Sequence, residues 1–72
     1  MQSYQQRVVD EKTELDEKIG ALTDFTEGRI FSSLNSVEQS RLLIQLHHMD
    51  CYSVILGQRI AAFPPPTQTI VP

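Results

Sequence analysis

Cysteine is almost absent from this chain: Cys51 stands alone among 72 residues. A single thiol cannot close an intramolecular disulfide, and it suits a reducing compartment. Glycine is scarce too, and Gly20, Gly28 and Gly57 are spread apart, so no glycine-rich loop is available to cradle a phosphate. No run approaches the roughly 20 apolar residues needed to span a bilayer. The segment Met1-Gln2-Ser3-Tyr4-Gln5-Gln6 lacks the basic and apolar regions of a signal peptide. Basic residues number six against nine acids, a formal charge of −3, whereas a general nucleic-acid binder normally shows a basic face. These deficits predict a soluble cytoplasmic protein with neither membrane nor nucleic acid as partner.

What the chain does have is helical periodicity. Val8, Leu15 and Leu22 lie seven apart, with Lys12, Ile19 and Thr26 interleaved and Tyr4 and Phe25 flanking them. Spacings of three and four fit only the 3.6-residue helical period, which predicts a first helix over about 3–27. Ser3 is the expected N-cap, with Gln6 completing a capping box, and Gly28 is expected to stop the helix in the left-handed conformation. Glu14 and Lys18 form a favourable i,i+4 pair. Ile30, Phe31 and Leu34 in the link suggest a turn folded over the helix ends.

Ser36-Val37-Glu38-Gln39 reads as a second capping box, so the next helix should start at Val37. Its seam is Leu42, Leu46, Met49, Ser53, Leu56, Ile60 and Phe63. Pro64-Pro65-Pro66 ends it, because proline lacks the amide and disfavours helix at the residue before. The expected organisation is a helical hairpin over 1–63 and a proline-rich tail over 64–72, extended or disordered. The fold class is all-α: an antiparallel two-helix hairpin. A chain this short buries only about 60% of its unfolded surface, and small scaffolds usually need disulfides, a metal or self-association. Leu43, Ile44, Tyr52, Val54 and Ile55 lie off the second seam, so a helical-bundle homo-oligomer is expected, with a groove for a foreign protein as the alternative.

A turn near residue 32 would pair Leu22 with Leu42, Ile19 with Leu46, Leu15 with Met49 and Val8 with Leu56. The same register sets Lys12 opposite Ser53, a polar layer in both seams. An ammonium in an apolar layer is costly unless paired or hydrated. Lys12 therefore either reaches outward to Glu11, Asp16 or Asp50, or sets register, or else the layer opens onto a ligand or partner anion.

Candidate chemistry is thin. His47 and Cys51 share a face at i,i+4 and could reach zinc. With His48 they still lack a fourth ligand, and the favoured reading is two surface histidines and a small thiol. Ser, His and Asp occur without a strained nucleophile turn. No catalytic residue, resident metal or cofactor is expected. Tyr4, Arg7 and Arg59 fall at similar heights at the open end, with Lys12 further in. Guanidiniums present forked donors to phosphate or carboxylate, and tyrosine can stack on a base. The simpler alternative pairs Arg7 and Arg59 with Asp10, Glu11 or a partner's acids.

The runs Arg7-Val8-Val9-Asp10-Glu11-Lys12 and Glu14-Leu15-Asp16-Glu17-Lys18-Ile19, with Phe25, Glu38-Gln39, Met49, Tyr52 and Leu56 to Ile60, resemble a family of small phage hairpins. Its members are often described by likeness to a protein of a crAss-like gut phage, and the resemblance covers about residues 4–63. More distantly, the chain is similar to the helical hairpin of phage nucleotide sponges that counter CBASS and Thoeris defence. The resemblance implies a phage-encoded, non-enzymatic oligomer in the host cytoplasm that sequesters a cyclic or related nucleotide signal. The alternative is a module that inhibits a host defence protein through its second helix. On their own chemistry, Tyr4, Arg7, Lys12, Lys18, Tyr52 and Arg59 are the candidate ligand-binding residues.

Overall fold

Helix-forming Gln, Glu, Lys and Leu dominate the first third of the chain, with no proline to interrupt them. They build α1, Ser3–Thr26. A short helix α2, Arg29–Ser33, fills the link, and α3 spans Ser36–Ala61. The structure, a computed structural model, describes residues 3–64; the tail expected at 64–72 lies outside them apart from Pro64. The described residues are all helix and connection, with no strand, as the class expected from the sequence requires.

α1 and α3 lie side by side in opposite directions. Tyr4, near the start of α1, meets Phe63, just past the end of α3, edge to face at 5.8 Å between ring centroids. Further along, Lys12 reaches Ser53. Between the helices Val8, Leu15 and Leu56 form the buried core, and Ile19, Met49, Ile60 and Phe63 pack around it. Leu56 is fully enclosed. The link closes over the far end, where Phe25 and Phe31 make a second edge-to-face pair at 6.3 Å.

Four local expectations are corrected. Gly28 is not left-handed: with φ −102° and ψ 177° it is extended and serves as the N-cap of α2. α1 stops at Thr26 because the chain turns at once into α2, where the Gly28 carbonyl accepts from the Ser32 amide at 3.3 Å. The cap of α3 is Asn35, not Ser36, so α3 begins one residue earlier. Asparagine is among the best N-caps, and its Oδ1 accepts from the Glu38 amide at 2.8 Å. Gln6 makes a forward bond to Asp10 Oδ1 at 2.9 Å instead of completing a box at Ser3. At the other end α3 stops at Ala61, ahead of the expected residue 63, since Phe63 precedes proline.

Gln39 has a different role from the one its position in a box suggested. Its side-chain amide reaches back to the carbonyl oxygens of Phe31, Ser32 and Leu34, at 3.0, 3.3 and 2.9 Å. These acceptors lie at the C-terminal end of α2, where helices leave carbonyls without internal partners. One side chain of α3 thus holds the link.

Because the core is so small, Leu56→Ala should cost about 2–5 kcal/mol through lost burial and the cavity left behind. Urea unfolding followed by circular dichroism measures it; a loss below about 1 kcal/mol contradicts the central place given to this side chain.

Candidate functional site

The polar layer anticipated at Lys12 and Ser53 forms, and Asp16 completes it. Lys12 Nζ donates to Ser53 Oγ at 2.9 Å and to Asp16 Oδ2 at 2.8 Å. Ser53 Oγ donates in turn to Asp16 Oδ1 at 2.5 Å. Ser53 is buried, while Lys12 and Asp16 reach the surface at its edge. The lysine stem passes over Gly57, where an added Cβ would sit 3.4 Å from its Cε. Lys12 therefore leaves the apolar seam sideways and is neutralised within the chain, the first of the two readings open from the sequence.

The helical rotation of about 100° per residue then divides the surface of the pair. Lys12, Asp16, Ser53 and Gly57 mark one side of the α1–α3 seam. On the same rotation, Tyr4, Arg7 and Lys18 of α1 and Tyr52 and Arg59 of α3 flank the opposite side. Five of the six candidate residues thus share one side, and Lys12 is the exception. With Lys12 level with Ser53, Arg7 and Arg59 come to nearly the same height. Tyr52 lies about six residues, or 9 Å, further along, and Lys18 lies beyond it at the level of His47 and His48.

Arg7 and Arg59 are exposed and make no ion pair among the described residues; neither does Lys18. The expected i,i+4 bridge between Glu14 and Lys18 does not form. Among the described residues the ion pairs are Lys12–Asp16 and Arg41–Glu38, the latter at 3.3 Å. The open end thus holds two exposed guanidiniums, and Tyr52, 45% exposed, lies about 9 Å further along the same flank. Tyr4 is half exposed but gives one edge contact to Phe63. Glu11 and Glu14 lie on α1 between Arg7 and Lys18 and confine the basic character to that end.

His47 Nε2 and Cys51 Sγ are 3.7 Å apart on exposed α3 surface, and the two histidine rings sit 5.7 Å apart. Among the described residues no cluster of three potential metal ligands occurs.

Sequence reasoning missed the roles of Asn35 and Gln39 at the link, and it named Asp16 only as one of three possible partners for Lys12. The signal for Asp16 was present: it follows Lys12 by four residues on the flank that meets Ser53.

Comparison with known proteins adds a lineage. A family model described as Sequestin matches residues 2–62, most of the chain. A protein of Enterobacteria phage T4, described as an uncharacterized 7.5 kDa protein in the denB-rIIB intergenic region, is 43% identical over 63 residues. The match covers 88% of this chain and 98% of the phage protein. No solved structure matches. These matches bear out the resemblance to small phage proteins at that coarser level.

The Asp16 carboxyl is held below its ordinary value of 3.8, first by the Lys12 hydrogen bond and then by Ser53. A carboxylate that binds protons more weakly folded than unfolded stabilises the fold above the unfolded value, and this contribution is lost as pH falls through the folded one. The stability difference between wild type and Asp16→Asn should therefore be constant near neutrality and close below pH 3.8. Thermal unfolding across pH tests this; a difference that persists unchanged in acid contradicts the ionic role.

Proposed function

The chain belongs to the Sequestin family of small phage proteins, and from that premise we propose that it binds and sequesters a cyclic or related nucleotide immune signal without catalysis. The family's name denotes sequestration, and the resemblance to phage nucleotide sponges read from the sequence suggests the class of ligand. The observation that carries the reading is the pair of exposed guanidiniums, Arg7 and Arg59, at one height and without an ion pair among the described residues, with the exposed ring of Tyr52 about 9 Å along the same flank. Such donors suit phosphate, and an aromatic face suits a base. Sequestration requires nothing more than affinity: no nucleophile or general base need be poised, and the bound signal leaves unchanged. Lys12 contributes less to this reading than the arginines, because Asp16 and Ser53 already take two of its three donors and Asp16 neutralises its charge.

The setting proposed is a homo-oligomer in the host cytoplasm, where pockets between protomers would double the basic and aromatic groups and enclose a ligand that a lone helix pair leaves open. A second reading, inhibition of a host or defence protein through α3, is favoured by the exposed Leu43, Ile44, Val54 and Ile55 on that helix. The two readings separate by mutation. Under sequestration, Arg59→Glu and Arg7→Glu each weaken binding of cyclic dinucleotides or ADP-ribose derivatives by about tenfold or more, since a charged hydrogen bond contributes about 1.5–3 kcal/mol. Lys12→Met changes stability but not affinity. Calorimetric titration of wild type and variants, with helicity checked, measures this. Wild type that takes up no member of the panel sinks the reading, and a phage function lost only with Ile55→Glu favours the second.

A further inference from the structure

The two long helices differ in what they leave uncovered. α1 carries six acids against three bases, while α3 carries Glu38, Arg41, Asp50 and Arg59, which balance. The chain's net charge of −3 therefore resides on α1. The large exposed apolar side chains gather instead on α3. Two doublets stand out: Leu43 and Ile44 are 50% and 56% exposed, Val54 and Ile55 57% and 51%.

These doublets have a geometry of their own. Eleven residues separate Leu43 from Val54 and Ile44 from Ile55, close to three full turns, so each pair shares a flank of the helix. The doublets are also symmetric about position 49. A twofold axis beside α3 at that height, perpendicular to the helix, brings Leu43 within one residue's rise of the partner's Val54, and Ile44 within one residue's rise of the partner's Ile55, each on a shared flank. The pattern is self-complementary, which is the condition for an isologous contact. The antiparallel sense also suits the charges. It brings Asp50 within one residue's rise of the partner's His47, whose imidazole can donate to a carboxylate, whereas a parallel pair would set Asp50 on Asp50 and Arg59 on Arg59.

We propose that α3 is the self-association face of this protein, pairing antiparallel with α3 of a second copy about a twofold axis at the height of Met49. The three buried apolar residues of one chain are then supplemented by an intermolecular apolar layer, and the acidic α1 helices are held apart on the outside. Tyr52 and Arg59 border this contact, so a second protomer stands beside the basic end of the first.

The inference concerns the ligand-free protein, so its failure is distinguishable from failure of the sequestration reading. Analytical ultracentrifugation of the full chain should give twice the 8.2 kDa protomer mass, or a multiple built on that pair. Val54→Glu and Ile55→Glu should each raise the dissociation constant at least tenfold while helicity is unchanged, because the positions are exposed in the protomer. In a Cys51→Ala background, oxidation should cross-link Leu43→Cys/Val54→Cys into dimers and leave Leu43→Cys alone uncross-linked. A protomer mass at every concentration overturns the proposal, as does efficient cross-linking of Leu43→Cys alone, which would mean a parallel pair. An oligomer indifferent to both glutamate variants also overturns it and assigns the face to another protein.

Discussion

The hydrogen-bonded set of Lys12, Asp16 and Ser53 fixes how the two long helices face each other. Apolar seams alone tolerate slippage, since Val8, Leu15 and Leu56 can be met by other aliphatic side chains one turn away. A lysine cannot slide in this way: moved by a turn, its ammonium would meet the apolar layer without Ser53, and Ser53 would be buried without its partners, at the cost attached to unsatisfied buried polar groups. The layer thus acts as a polar register device of the kind known in coiled coils. Once the stagger is fixed, the heights of Arg7 and Arg59 follow, and so does the side of the pair on which each lies.

The small core imposes the next constraint. Among the described residues, three buried apolar side chains and a set of edge contacts are little for a folded unit, and one cysteine closes no intramolecular disulfide. The chain divides its composition accordingly. α1 is polar on every face except the seam, while α3 remains apolar beyond it. Under the proposed self-association, the apolar surface left on α3 is the face that a second copy covers. The proposed ligand site falls on the flank between the polar and apolar faces, where exposed arginines stand near aromatic and apolar surface. For a sequestering protein this is economical, because affinity needs enclosure and charge neutralisation but no reacting group.

Much of the architecture was legible in the chain. The seven-residue spacing of Val8, Leu15 and Leu22, the seam from Leu42 to Phe63 and the level of Lys12 with Ser53 are periodic signals, and periodicity survives into structure because it determines which side chains can be buried together. The link was less legible. Ser36 and Asn35 are both good caps, and pattern alone favoured the serine whose box included Gln39; only the fold shows that Gln39 is needed at the carbonyls of α2. Gly28 was read as a left-handed stop because glycine commonly is one, yet a second helix starting at Arg29 requires an extended residue there. Of the candidate site residues, chemistry alone selected the six. Their separation into five on one flank and Lys12 on the other depends on contacts across 41 positions of sequence, which composition does not encode.

The decisive experiment is native mass spectrometry of protein purified gently from infected or signalling cells. A sequestering protein should emerge as an oligomer carrying about a few hundred additional daltons per site, the mass of a nucleotide, released intact on denaturation and absent from Arg59→Glu. An oligomer that emerges ligand-free from cells producing the signal, and stays so when offered cyclic nucleotides and ADP-ribose derivatives, would contradict it.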